Sequence, residues 1–222
     1  MHEHVDPVKE LIPIKPVAHY TMGGIEVDHA LEVNEIKGCF AVGECSNAKV
    51  HGANRLGGNS LLEITAFGKF AGENAYKHAM SASSKPADDT QQQIDAADIQ
   101  TLLSQEANIN FYPYREMLGN IFYEKVGIVR ENAQLQEALN EVTSMQVTQK
   151  EMGVADKSPT NNQNLIDFLE FQNALLLAPN IISAAISRDE SRGAHYKVGF
   201  EHEDEALKKH IVLQWEKEET CK

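Results

Sequence analysis

Glycine is spread unevenly along the chain, and that limits its possible folds more than any other feature. Nine of the 14 glycines lie in residues 1–80 and five in residues 81–222. Glycine permits positive φ and close backbone approach, but it weakens the interiors of regular elements. The first part is therefore expected to hold short elements and tight turns, and the second to hold longer helices. Charge divides at the same place. Residues 1–80 carry 7 basic and 10 acidic residues, a net of −3, whereas residues 81–222 carry 13 and 23, a net of −10. Between them runs Ser81-Ala82-Ser83-Ser84-Lys85-Pro86-Ala87-Asp88-Asp89, small and polar with one proline, the composition of a linker. The expected organisation is a segment 1–80, a linker 81–94 and a second domain 95–222.

Composition excludes several classes of function. The 222 residues have a formal net charge of −13, where a nucleic-acid-binding protein would present a basic face. No uninterrupted apolar run approaches the roughly 20 residues of a membrane-spanning helix, so no direct span is expected. Met1 to Glu10 has neither the basic start nor the apolar stretch of a signal peptide. Cys39, Cys45 and Cys221 are too few and too scattered for a disulfide framework. His2 and His4 form one loose pair, and Cys39, Cys45 and His51 stand six residues apart, a spacing that fits no common zinc pattern. No metal is expected.

Periodicity assigns the elements. Gly24–Asp28 and Gly38–Gly43 are short apolar runs bounded by glycine, consistent with strands. From Ser60 to Met80 the period becomes helical, with Leu61, Leu62, Ile64, Ala66, Phe67, Phe70, Ala71 and Ala75 on one face and Asn59 or Ser60 as N-cap. Further helices are expected from Asp98–Leu103, over Tyr112–Val126 with Pro113 in the first turn, over Glu131–Met152, and over Asn164–Arg188. In the last of these, Pro179 should kink or interrupt the helix. The expected core of the last two includes Leu135, Ala138, Leu139, Val142 and Met145, then Leu165, Phe168, Leu169, Leu175, Leu176, Ile181, Ile182, Ala185 and Ile186. A final short strand is expected over His210–Trp215. The fold class is α+β: a few short strands and a helix, then a mostly α-helical bundle with a short terminal strand.

The segment richest in chemistry is His51-Gly52-Ala53-Asn54-Arg55-Leu56-Gly57-Gly58-Asn59-Ser60-Leu61-Leu62. Glycines before a helix N-terminus let backbone amides approach an anionic group, and the Arg55 fork suits a carboxylate. On spacing alone a tight strand-to-helix turn with a solvent-facing arginine fits equally well. Upstream, Ala41-Val42-Gly43-Glu44 can present a carboxylate to ligand hydroxyls, as nucleotide-binding folds do with a ribose. By pattern alone Glu44 is an ordinary strand-end charge and His19 an ordinary structural histidine.

Taken together, His19-Tyr20-Thr21-Met22-Gly23-Gly24-Ile25, Phe40-Ala41-Val42-Gly43-Glu44-Cys45 and the segment 51–61 resemble the flavoprotein subunit of fumarate reductase and succinate dehydrogenase. Val126-Gly127-Ile128-Val129-Arg130 and Glu190-Ser191-Arg192-Gly193-Ala194-His195 resemble the helical C-terminal region of the same family. The resemblance implies the C-terminal part of an FAD-binding α/β domain followed by a helical domain. It also implies an oxidoreductase that interconverts fumarate and succinate by hydride transfer with FAD, in electron transport and anaerobic respiration. Carried over residue by residue, Glu44 binds the FAD ribose and Ser60 and Leu61 bind the flavin side. His19 and Arg55 hold the carboxylates of the substrate. Arg192 and His195 are left to structural support from the second domain.

The resemblance also implies partners: an iron–sulfur subunit passing electrons to or from quinone, and a peripheral position on a membrane. The cytoplasmic side is expected, with the periplasmic side left open. No Gly-x-Gly-x-x-Gly fingerprint is present, and neither the histidine that carries the flavin nor the proton-donating arginine of the family has a match here. Both are expected upstream, so no catalytic residue is assigned in this chain. The chain alone is expected to bind FAD weakly or not at all and not to turn over fumarate. Two alternatives stand beside this reading. One is the related L-aspartate oxidase; the Leu56-Gly57-Gly58-Asn59 and Thr21-Met22-Gly23-Gly24 sequences favour the reductase or dehydrogenase branch. The other is a non-catalytic helical module that docks on a partner subunit. Glu26-Val27-Asp28 and Glu44-Cys45-Ser46 lean towards fumarate reductase over the dehydrogenase.

Overall fold

Two hydrophobic clusters organise the chain, each built by a different part of the sequence. The computed structural model describes residues 6, 8–12, 19–83 and 88–213. In order these form β1 (Ile25–Glu26), β2 (Ser46–Asn47), α1 (Asn59–Ser81), α2 (Thr90–Ser104), α3 (Tyr112–Ile121), β3 (Val129–Arg130), α4 (Asn132–Thr148), α5 (Gln163–Ser187) and β4 (Tyr196–Lys197). The smaller cluster gathers Val27, Leu31, Ala41 and Ala71, flanked by Val33, Phe40, Val42, Ala48 and Phe67. Here β1 pairs in parallel with β2, Ile25 against Ser46 and Glu26 against Asn47. The run expected as a strand over Gly38–Gly43 contributes only a bridge, Glu32 to Phe40, and then turns into a 3₁₀ element, Gly43–Cys45.

Helix α1 starts where expected but is capped differently. Its N-cap is Gly58, at φ +85°, not Asn59 or Ser60. The Leu56 carbonyl accepts from the Asn59 amide at 3.1 Å, and the Gly58 carbonyl accepts from Leu61 at 3.1 Å. This turn needs a left-handed residue, which glycine adopts without a Cβ penalty, so Asn59 and Ser60 move into the first helical turn. Of the expected apolar face only Ala71 is buried, with Ala66, Phe67 and Ala75 half-buried; Leu61, Leu62, Ile64 and Phe70 are exposed. Helix α2 begins at Thr90, so the end of the 81–94 segment is helical.

The larger cluster belongs to α3, α4 and α5. Pro113 occupies the first turn of α3, and the stretch expected as one helix to Val126 widens into a π-helical turn over Phe122–Val126. Leu135, Ala138, Val142 and Met145 of α4 are buried, as their spacing predicts. On α5 the buried stripe is Phe168, Phe171, Leu175, Ala178, Ile182 and Ala185, alternating steps of three and four that keep one face towards the core. Leu176 and Ile181, expected in the core, are 49% and 42% exposed. They lie beside this stripe, and α4 covers one face of α5 only.

Pro179 does not interrupt α5, which runs unbroken from Gln163 to Ser187. A proline cannot donate to the carbonyl four residues back, here that of Leu175. Gln146 of α4 supplies the missing donor: its Nε2 reaches the Leu175 carbonyl at 2.9 Å. The bond therefore replaces a lost helical bond and ties α4 to α5.

The second sheet is small: β3 pairs in parallel with β4, Val129 against Tyr196 and Arg130 against Lys197. The terminal strand expected over His210–Trp215 does not form in its described part, His210–Leu213, which aligns with no strand edge among the described residues. Gln214 and Trp215 lie outside the described residues.

The Gln146 bond makes a testable claim. Gln146→Ala should cost about 1–3 kcal/mol by leaving the Leu175 carbonyl unsatisfied. In a Pro179→Ala background the backbone amide returns, and the same substitution should cost well under half as much. Urea unfolding of the four chains measures both.

Candidate active site

The loop between β2 and α1 is brought against the chain that precedes β1. His19, Glu44, Arg55, Ser60 and Leu61, five residues separated by up to 42 positions in sequence, line one cavity of about 260 Å³ together with Tyr20 and Ile64. Glu44 sits in the 3₁₀ turn at the end of the Ala41–Val42 run. Its Oε1 accepts from the Thr21 amide at 2.9 Å. Ser60 and Leu61 stand in the first turn of α1, the positive end of the helix dipole.

Arg55 has contacts on several sides. Its Nη2 donates to His19 Nδ1 at 3.3 Å and its Nη1 to the Leu56 carbonyl at 3.3 Å. The guanidinium lies over the Tyr20 ring, 4.5 Å from the centroid, and Nε is buried with no partner among the described residues. A guanidinium only donates, so His19 Nδ1 accepts and a neutral His19 ring carries its proton on Nε2. That leaves an N–H donor on His19 beside the cation.

Below this pair lies a second layer. The Tyr20 hydroxyl donates to Glu63 Oε2 at 3.2 Å, and the same oxygen meets His51 Nε2 at 2.6 Å. Burial, then the charge and hydrogen bond of Glu63, raise the Tyr20 hydroxyl above its ordinary pKa, so it remains a donor. Glu63 and Tyr20 were not singled out from sequence. The signal was available for Glu63, which is one step of four from Phe67 and two from Ala71, so it is an acid on the inward stripe of α1.

The helical part reaches this loop from the other side. The Ala194 amide lies 3.5 Å from the Ala53 carbonyl. Gly193, at φ +59°, packs so closely that a Cβ would fall 2.2 Å from the same oxygen. An ionic knot fixes the Gly193 turn. Glu190, with no exposed surface, pairs with Arg188. It also accepts from Arg192 Nε at 3.1 Å on both oxygens and from the Asp204 amide at 2.9 Å. These donors hold the Glu190 carboxyl down to about 2, Arg192 contributing most. His195 Nδ1 accepts from Arg130 at 2.5 Å and its Nε2 donates to the Arg188 carbonyl at 3.2 Å. Burial, then the Arg130 charge, lowers its pKa to about 4. Neither Arg192 nor His195 lines the cavity; both serve the knot.

Comparison with known proteins accounts for both halves of this arrangement. Residues 1–61 match the FAD binding domain model, and residues 115–222 match that of the fumarate reductase flavoprotein C-terminal region. The chain is 41% identical over 206 residues to the fumarate reductase flavoprotein subunit of Haemophilus influenzae, covering 92% of this chain and 34% of that one. It superposes on a variant of Escherichia coli quinol fumarate reductase with a TM-score of 0.85 at 38% identity, over 92% of this chain and 35% of the other. For the Mycobacterium smegmatis Sdh1 complex the TM-score is 0.79 at 31% identity, over 86% and 32%.

The chain belongs to the fumarate reductase and succinate dehydrogenase flavoprotein family.

It spans about a third of the length of the flavoprotein relatives it matches. FAD is the cofactor to which the family is fitted, and the donor set here suits part of it. Glu44, with one carboxylate oxygen held by the Thr21 amide, lines the cavity shared with the first turn of α1. Among the described residues no group of three or more His, Cys, Asp or Glu is placed to hold a metal ion; Cys39 and Cys45 are exposed free thiols.

The knot gives this flavoprotein segment a defined response to acid. His195 titrates near 4 in the fold against an ordinary 6.5, so the unfolded chain binds a proton more readily and its contribution is lost as pH falls from about 6.5 to 4. Glu190 titrates near 2 against 4.5, so its contribution holds above about 4.5 and is lost as pH falls towards 2. Urea midpoints should fall in both windows. His195→Gln, which keeps one acceptor and one donor, should flatten the upper window and leave the lower one.

Proposed function

We propose that this chain forms the substrate-side part of a flavoprotein oxidoreductase that interconverts fumarate and succinate. The observation that carries this reading is the convergence of His19 and Arg55 on one cavity with Glu44, Ser60 and Leu61, in a chain whose relatives are named fumarate reductase flavoprotein subunits. FAD, when bound, supplies the hydride-transfer chemistry. The chain's own residues bind and orient. Arg55 is permanently charged and, with the Nε2–H of His19, offers donors to the carboxylates of a dianion. Ser60 and Leu61, at the positive end of α1, favour a negatively charged edge of the cofactor. Glu44, one oxygen held by Thr21, presents the other to ribose hydroxyls. Holding a small dianion by both ends fixes its double bond relative to the cofactor, and such positioning supplies much of catalysis between bound reactants.

The same reading assigns the assembly. Electrons pass through an iron–sulfur subunit to or from a quinone, and the subunit lies peripherally on the membrane, on its cytoplasmic side. The solved neighbour described as a quinol fumarate reductase supports the quinone. The fumarate reductase names of the relatives support reduction as the working direction. The alternative of a helical docking module draws on one observation, that Phe111 to Ala185 contain a hydrophobic cluster of their own.

Titrating the ¹⁵N-labelled chain with fumarate separates the two. The dicarboxylate reading expects selective shifts at His19, Arg55 and the first turn of α1. Arg55→Gln should weaken binding at least about tenfold, the scale of a lost hydrogen bond to a charged group. Crotonate, with one carboxylate, should bind less well than fumarate. Absence of any response at these residues would favour the module.

A further inference from the structure

We propose that Glu63 is a positioning residue for Arg55, acting through the Tyr20 ring; this rests on the reading of Arg55 as substrate-binding. Glu63 is 5% exposed and sits one turn into α1, below the cavity rather than in its lining. A buried carboxylate is costly unless hydrogen bonds compensate it. Among the described residues both of its donors meet one oxygen: the Tyr20 hydroxyl at 3.2 Å and His51 Nε2 at 2.6 Å. His51 Nδ1 is buried with no partner among the described residues. A ring protonated there as well would bury an unsatisfied N–H, so the geometry places the His51 proton on the nitrogen that faces Glu63.

The outcome is a ring held on two sides. Glu63 pins the Tyr20 hydroxyl, and His51 stands edge-on to the ring at 5.7 Å and 84°. The face left open carries the Arg55 guanidinium at 4.5 Å. Among the described residues Arg55 has otherwise only two long hydrogen bonds, each 3.3 Å, which hold a flexible side chain poorly. A fixed aromatic face beneath the cation supplies the missing restraint without consuming any N–H. That difference matters for a binding residue. A carboxylate placed directly on Arg55 would hold it equally well but would compete with the substrate for the same donors. Separating the anion from the cation by a ring orients the guanidinium and leaves its donors for a ligand.

The Arg55 Nε–H resonance of the ¹⁵N-labelled 222-residue chain tests this directly, because the ring beneath it displaces the signal upfield. Tyr20→Leu should abolish that displacement and weaken fumarate binding by about 3- to 30-fold, the range of a cation–π contact. Tyr20→Phe, which keeps the ring but loses the hydroxyl that Glu63 holds, should fall between wild type and Tyr20→Leu, as Glu63→Ala should. Glu63→Ala should move the Arg55 signal towards that of Tyr20→Leu, and Glu63→Gln, still able to accept from the hydroxyl, should restore it. A general loss of structure would instead shift the amides of α4 and α5 alongside. If Tyr20→Leu does not fold, the Glu63→Ala and Glu63→Gln pair carries the comparison alone. Wild-type Arg55 shift and fumarate affinity in the folded Glu63→Ala chain would overturn the proposal. If the Arg55 signal responds as described while no variant, wild type included, responds to fumarate, the positioning role stands and the substrate reading falls.

Discussion

The buried carboxylate of Glu190 is the point on which the two halves of this chain depend. A fully buried anion must be paired and hydrogen-bonded, or folding loses several kcal/mol to its desolvation. Glu190 satisfies that demand by gathering Arg188, Arg192 and the Asp204 amide, which draws residues 188–204 into one closed turn. Lys197 closes the same turn from below. With no exposed surface, its ammonium donates to the carbonyls of Ile186 at 2.7 Å and Arg188 at 3.2 Å and to Asp189 at 2.8 Å, so a cation sits at the negative end of α5. The cost of burying these charges secures geometry. It fixes the Gly193 turn, and that turn abuts Ala53, two residues before Arg55.

Arg55 is thus approached from two directions by different physics. From the helical part comes steric seating: Gly193 fits against the Ala53 carbonyl only because it lacks a Cβ. From within the first part comes the Tyr20 face, held by Glu63. Neither device puts an anion on the guanidinium. Charge compensation is kept one layer away, which leaves donors facing the cavity while the surroundings stay electrostatically balanced.

What could be read from sequence was what local pattern encodes. The helix start near Asn59 and the α4 stripe each depend on residues within a few positions of one another, and they sit close to where periodicity puts them. The family motifs drew His19 and Arg55 into the same reading, and the fold brings them within hydrogen-bonding distance. The Tyr20–Glu63 contact spans 43 positions, and that of Arg130 with His195 spans 65; no local rule pairs such residues. The errors have equally physical sources. Gly58 took the N-cap because the backbone needed positive φ there, which side-chain capping preference cannot see. Hydrophobicity places Leu176 and Ile181 in the core because it does not say how much of a helix its neighbour covers.

Helix α5 shows the same limit most sharply. Its 25 residues are long and apolar enough, by length and composition, to cross a membrane, although no unbroken apolar run of that length exists in the sequence. Its surroundings argue for a different role. The stripe from Phe168 to Ala185 is buried against the cluster it shares with α3 and α4. Asp167 and Glu170, on its first turns, each lie 3.6 Å from Arg115 of α3. The carbonyl freed by Pro179 is answered by a glutamine side chain from α4. The last two are polar commitments to a protein neighbour, and a lipid-facing helix could satisfy neither from hydrocarbon. The apolar character of α5 therefore serves the core of the helical domain. Its C-terminus anchors the Lys197 and Glu190 knot, so packing around α5 bears on the position of Arg55 through Gly193.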